Sequence, residues 1–238
     1  MSWLAKILGQ QDINSLPELD PERVISFQKQ EESLAIQYSG AMGLWHEAQA
    51  NSEPLYEEEN VNSLSVEGHA RAEEFRKFMG ITQDEVILDI GCGTQSLPSY
   101  LADADISKVY GIDPIGGSYR AYNYYEGFAE FVPWYSRSFD RVVVATSFDH
   151  FIDPTVVMSQ IHRVLKKGGT FEAWVFFVDD APDYDPHKVK ERMDDFHVYH
   201  LNPNYWTKLV QPFFNEVKHH QSFNEGYKAD TFFSYKKN

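Results

Sequence analysis

The chain has 238 residues, 42% of them apolar and 24% charged, and a formal net charge of −15. That length suits one α/β domain with a sizeable core plus added elements and argues against two full domains. The acidic balance speaks against nucleic acid as a partner, because lysine and arginine form no cluster beyond short pairs such as Lys166-Lys167 and Lys236-Lys237. No apolar run approaches the roughly 20 residues of a membrane span. Met1-Ser-Trp-Leu-Ala-Lys-Ile-Leu8 is too short for a secretory signal and has the pattern of a small amphipathic helix. Cys92 is the only cysteine, so no disulfide forms within the chain, which fits a reducing compartment. A cytoplasmic protein with no membrane partner is expected.

Residues 1–62 are polar, rich in Glu and Gln, and predict an N-terminal helical extension. Asp20-Pro21 suits an N-cap and first turn, Gly40 suits a stop, and Val24, Ile25, Leu34 and Ile36 give a partial apolar face. Ser39–His46, small residues followed by Trp45 and His46, has the composition of a lid, or of a loop packing Trp45 on the body. Ser65–Met79 predicts a helix stopped by Gly80. Glu85–Ile90 is a first strand, Leu97–Ala104 a short helix, Lys108–Ile112 a second strand and Ala129–Val132 a third. The β-branched Phe139–Thr146 is a fourth strand. Asp153-Pro154 opens a helix closed by Gly168-Gly169, and Thr170–Phe177 is a fifth strand. Asp185-Pro186 and Asn202-Pro203 each mark a helix start. Asn215–Ser222 and Asp230–Tyr235, joined at Asn224-Glu-Gly226, form a terminal hairpin. Strand and helix alternate until that hairpin, which predicts an α/β, Rossmann-like, doubly wound parallel sheet.

The chemistry concentrates at Val86-Ile-Leu-Asp-Ile-Gly-Cys-Gly-Thr94. An apolar run ends in Asp89, and a Gly-x-Gly turn follows at Gly91 and Gly93. This is the pattern of a buried parallel strand feeding a turn where backbone can touch a ligand. The second strand ends in Asp113, about twenty residues on, where a carboxylate holds the ribose hydroxyls of a nucleotide-type cofactor. Cys92 inside the turn is expected to fill space, since no thiolate-stabilising partner stands near it in sequence.

Five segments, in order and spacing, resemble the small-molecule branch of the class I S-adenosylmethionine-dependent methyltransferase superfamily. They are Leu88–Thr94, Tyr110-Gly-Ile-Asp-Pro114, Pro133 through Ser138-Phe-Asp140, Ser147-Phe-Asp-His-Phe-Ile-Asp-Pro154 and Arg163-Val-Leu-Lys-Lys-Gly-Gly169. The likeness runs from about Ser63 to the C-terminus. It implies a seven-stranded sheet, mostly parallel with an antiparallel C-terminal hairpin strand, and S-adenosyl-L-methionine as cofactor. It implies further that Asp89, Gly91 and Gly93 line the methionine and ribose part, with Ile90, Cys92 and Pro114 in the same cofactor-binding set. Asp113 would accept hydrogen bonds from the ribose hydroxyls. Thr146 and Ser147 would lie beside the methionine amino group, and Phe128 and Ala129 beside the adenine. Two departures stand out. Phe128 occupies a position where the family often has an acid, so backbone groups of Phe128 and Ala129 would serve the adenine, with the Phe128 ring packed on it. The link after Asp113 holds Gly116-Gly117 and Tyr119, Tyr122, Tyr124 and Tyr125, and is too short for the usual helix; these tyrosines are packing or a substrate wall.

A sulfonium methyl is already activated, so an amine or thiolate acceptor needs little beyond alignment, whereas a hydroxyl needs a base. His150, just past the fourth strand, is the catalytic candidate, with Asp149 beside it; packing is the alternative. His197 and His200, three apart and on one face if helical, fall in a 178–213 acceptor-side insertion. With Trp45 and His46 they are candidates to contact the acceptor. A metal on His197 and His200 with Asp194 or Asp195 is weighed against polar residues at a helix end; the second is preferred and no metal is expected. His219-His220 point to opposite faces of a strand, which disfavours shared ligation. Arg71 either forks onto the cofactor carboxylate or lies on the surface. The expected activity is methyl transfer to a small molecule, foremost at a hydroxyl of a sugar or natural-product-type metabolite. The alternatives are N- or C-methyl transfer, a nicotinamide-dependent oxidoreductase (with Ser96 where a third glycine is needed), and a non-catalytic methyltransferase-like subunit. Monomer and homodimer both stay open.

Overall fold

A computed structural model describes residues 16–57, 70–116, 120–224 and 227–238. Seven strands pair into one sheet: β1 Ile87–Ile90, β2 Val109–Asp113, β3 Asn123–Glu126, β4 Phe139–Ala145, β5 Leu165–Phe176, β6 Phe214–Asn224 and β7 Tyr227–Lys237. Their order is β3-β2-β1-β4-β5-β7-β6, parallel from β3 to β5, with β7 antiparallel between β5 and β6. The Rossmann-like fold with an antiparallel C-terminal hairpin strand is therefore as expected. Every residue of β1 and β2 is buried. Such continuous burial requires cover on both faces, which the unbroken apolar runs anticipate. Along β1, Leu88 and Ile90 enter one core and Ile87 enters the other, so Asp89 faces the second. The strand order reverses between β1 and β4, which opens a crevice at their carboxyl ends.

Among the described residues, five α-helices accompany the sheet: α1 Phe27–Gln37, α2 Ser39–Glu57, α3 Ala70–Met79, α4 Pro154–Val164 and α5 Pro203–Val210. Local sequence sets their ends. The Asp153 carboxylate accepts the N–H groups of Thr155 and Val156 at the start of α4, and Asn202 accepts that of Tyr205 in α5, each followed by proline. Gly80 ends α3 at φ +58°. Among the described residues, no helix is long and apolar enough to cross a membrane.

Several predicted boundaries move. Asp20-Pro21 does not start a helix: Asp20 closes a turn by accepting the N–H of Arg23 and Val24, and α1 begins at Phe27. Gly40 stops nothing. The break falls at Tyr38, whose hydroxyl donates to Asp153 at 2.6 Å and ties the two helices to the start of α4. Of the predicted apolar face, Leu34 is buried and Ile36 is 86% exposed. Ser39–His46 forms the first turns of α2. The third strand is Asn123–Glu126, and Ala129–Phe131 is a 3-10 turn. This edge strand is exposed or half-buried throughout, so it carries no apolar run; its register against Tyr110–Asp113 defines it. Leu97–Ala104 shrinks to one 3-10 turn, Ser99–Leu101, behind Pro98. Gly168-Gly169 does not close α4, which ends at Val164. Both glycines sit within β5, where Phe139 pairs with Leu165 but Arg141 with Thr170, and Gly168 takes φ +75° to absorb the extra residues. Asp185-Pro186 makes a turn in which Asp185 accepts from Lys188 and Val189, not a helix. The short amphipathic Met1–Leu8, residues 65–69 of the predicted helix, Gly117, Tyr119 and the 225–226 turn lie outside the described residues.

Candidate functional site

The crevice at the β1/β4 carboxyl ends is a cleft of about 190 Å³. One wall is the glycine turn. Gly91 stands at φ +73°, and a Cβ there would lie 2.2 Å from Ser147 Oγ, so a side chain is excluded by conformation and by space. The Gly91 N–H donates to Ile112 O, and Ser147 Oγ donates to Ile90 O, which fastens the turn to β2 and β4. Asp113, at the tip of β2, accepts the N–H of Gly93 at 2.9 Å and that of Ile115 at 2.8 Å, one on each carboxylate oxygen. Burial nevertheless raises its pKa above the ordinary carboxylate value. Thr146, just past β4, stands at φ 55°, a conformation that a β-branched residue adopts only under strain of about 1–3 kcal/mol. Gly91, Cys92, Gly93, Asp113, Pro114, Phe128, Ala129, Thr146 and Ser147 all line the cleft, as do Trp45 and His150.

Asp89 and Ile90 do not. Ile90 is core, and Asp89 lies beneath the turn, fully buried, because strand alternation sends it to the α3 side. Asp89 Oδ2 accepts from the Tyr100 hydroxyl at 2.8 Å, and Tyr100 itself lines the cleft; Asp89 Oδ1 has no hydrogen-bond partner among the described residues. Burial, with repulsion from Asp113, pushes Asp89 up to about 7 despite the Tyr100 bond. Glu130, also at the cleft, accepts the N–H groups of Ile152 and Asp153, yet burial raises it to about 7. The unfolded chain holds these groups near 4. A folded-state pKa above the unfolded one contributes stability below pH ~4 that is lost as pH climbs to about 7. The carboxylates held low, such as Asp105 and Asp183, act below that window. Urea unfolding should therefore show wild-type stability falling more, or rising less, between pH 4.5 and 7.5 than Asp89→Asn stability, since His150, held low by burial, opposes the trend equally in both proteins; equal slopes would contradict the Asp89 assignment.

Three residues position the site, and two of them, Arg120 and Gln30, carry no sequence signal. Arg120 donates to Gly93 O and Ile115 O and lies 3.8 Å over the Tyr124 ring, clamping the glycine turn to the loop after β2. Tyr124 donates to Asp113 O and Ile115 O. Tyr122, Tyr124 and Tyr125 are thus packing. Gln30, fully buried on α1, accepts the Phe128 N–H at 2.8 Å. That backbone donor is therefore not free for an adenine, contrary to expectation, which leaves Ala129. The Phe128 ring stacks on Phe27 at 5.2 Å and meets Trp45 at 5.1 Å. Cys92 packs against Gly111, and burial pushes its thiol up, which disfavours the thiolate.

Of the acceptor-side candidates, His46 faces Glu31 of α1 at 3.5 Å, half exposed and away from the cleft. Arg71 pairs with Asp230 of β7 and does not reach the cleft. His197 and His200 are not on a helix, yet they converge with Asp149, His150 and Asp194: the His150 and His197 rings are 4.7 Å apart, and those of His197 and His200 5.1 Å. Burial pushes the His150 imidazole below its ordinary pKa, against the pull of Asp149. His219 and His220 pair separately with Glu216 and Glu74.

A turn with no room for a side chain, beside the Asp113 carboxylate fixed by two N–H groups, fits the ribose of an adenosyl ligand held against backbone. The sheet order is the one the resemblance implied, and residues 88–173 match the methyltransferase domain family. The chain is similar to the demethylmenaquinone methyltransferases of Chlorobaculum tepidum and Chlorobaculum parvum, 32% identical over 117 residues, or 45% of this chain; it spans about half of their length, 48%. Solved structures share the fold. The N-methyltransferase NodS of Bradyrhizobium japonicum, in complex with S-adenosylhomocysteine, has a TM-score of 0.59 at 13% identity, covering 80% of this chain and 98% of that one. The 1,6-didemethyltoxoflavin N1-methyltransferase of Burkholderia thailandensis has a TM-score of 0.57 at 14% identity, covering 95% and 96%.

Proposed function

We propose that the protein transfers the methyl group of S-adenosylmethionine to a hydroxyl of a small molecule, with His150 as the base. One observation carries the choice of acceptor atom: an imidazole whose pKa burial lowers, 3.9 Å from Asp149, lines the cleft. When bound, the cofactor supplies an electrophilic methyl on a sulfonium. Asp113 would hold the ribose, Gly91 and Gly93 would admit the ligand against backbone, and Ala129 would meet the adenine. Phe128 and Trp45 would exclude water from that side. The His150 imidazole would take the hydroxyl proton, and Asp149, 3.9 Å from Nε2, would stabilise the imidazolium formed. The α1–α2 extension and residues 178–213 would wall the acceptor. The charge of −15 supports a small acceptor over nucleic acid. The antiparallel β7 weighs against a nicotinamide-dependent oxidoreductase, whose sheet is parallel to its end.

Methyl transfer to nitrogen is the second reading, supported by the two N-methyltransferases that share the fold. Calorimetric titration with S-adenosylhomocysteine tests the common premise, with saturable one-site binding expected. No heat at high micromolar ligand would sink both readings. An acceptor panel then separates them, because an amine acceptor would turn over without His150.

A further inference from the structure

Beside the cofactor cleft lies a second cavity of about 360 Å³, and Thr146 lines both. Asp149, Asp194, His197 and His200 all face it. We propose that Asp194, His197 and His200 bind a divalent transition-metal ion of the zinc type, with Asp149 orienting His197.

The geometry is that of a ligand set. One ligand atom from each of Asp194, His197 and His200 lies within 4.8 Å of the others. Asp194 Oδ1 is 2.9 Å from His197 Nδ1, and Oδ2 is 3.0 Å from His200 Nε2. Ligands of a tetrahedral ion with bonds of about 2.1 Å stand roughly 3.4 Å apart, so the set closes on an ion with small side-chain shifts. The N–H groups of Phe196 and His197 both donate to Asp194 Oδ1 at 2.8 Å, which fixes the carboxylate in place. The other nitrogen of His197, Nε2, faces Asp149 Oδ2 at 3.9 Å. A carboxylate behind a ligating histidine sets its tautomer and raises its basicity.

Charge points the same way. Among the described residues, neither Asp149 nor Asp194 pairs with a lysine or arginine; their ion-pair partners are imidazoles. Two carboxylates without a lysine or arginine partner match a doubly charged cation, and two imidazoles with one carboxylate select a transition ion over Mg²⁺ or Ca²⁺. Three protein ligands leave a coordination position toward the cavity, as in catalytic zinc sites. An oxygen of the acceptor would take it; that extension rests on the methyl-transfer reading, whereas ion binding does not.

The test titrates chelator-treated full-length protein with Zn²⁺ by calorimetry and with Co²⁺ by visible absorption. One ion per chain is expected. His197→Ala/His200→Ala should abolish uptake, Asp149→Asn should weaken it about 10–100-fold, and His219→Ala/His220→Ala should leave it unchanged. The thermal shift given by S-adenosylhomocysteine, measured on each variant, reports that the fold survives. Absence of uptake, or uptake that persists in His197→Ala/His200→Ala, overturns the proposal. Zn²⁺ binding without S-adenosylhomocysteine binding would leave the metal site standing and remove the methyl-transfer reading.

Discussion

Asp113→Ala is expected to weaken S-adenosylhomocysteine binding by about 10²–10⁴-fold. A hydrogen bond to a charged group contributes about 1.5–3 kcal/mol, and two ribose hydroxyls would lose theirs together. The wild-type carboxylate is already oriented, because Gly93 and Ile115 donate to its two oxygens before any ligand arrives. Preorganisation of this kind keeps the ordering term out of the binding free energy. Alanine also frees those two N–H groups, so urea unfolding must accompany the calorimetry to separate lost affinity from a loosened turn. Asp113→Asn, which keeps one acceptor, should fall between. An affinity within a few-fold of wild type in a folded Asp113→Ala protein would remove this residue from the site.

His150→Ala should lower kcat by about 10²–10⁴-fold, the span of a general base, while leaving S-adenosylhomocysteine affinity nearly intact. The two readouts differ because His150 adjoins Asp149 and His197, whereas Asp113 is the residue that would hold the nucleoside. In the wild type, turnover of a hydroxyl acceptor should drop at acid pH as the imidazole gains its proton. Burial sets that limb below the ordinary histidine pKa, so activity should persist at pH values where an exposed histidine is charged. The acid limb should vanish in His150→Ala. A variant with full kcat, or one that keeps the limb, would assign the proton transfer elsewhere.

Residue patterns along the chain determined the parallel strands β1, β2 and β4, the glycine turn, Asp113 at a strand tip, the Asp153-Pro154 and Asn202-Pro203 helix starts and the terminal hairpin. Each is a short-range matter: apolar runs of strand length, a side chain capping its own helix, a backbone bend that needs glycine. Tertiary structure alone decided the rest. Gln30 reaches Phe128 across 98 positions and Tyr38 reaches Asp153 across 115, bonds that no local pattern encodes. Asp89 turned from the cleft because the pleat alternates, and the edge strand β3 exists through its register with β2 rather than through its own composition. The histidines at 150, 197 and 200 became one cluster only when the 178–213 segment folded over the carboxyl end of β4. Sequence spacing fixes what neighbours share a turn, but which distant side chains meet depends on the packing of elements whose faces are complete only in the folded chain.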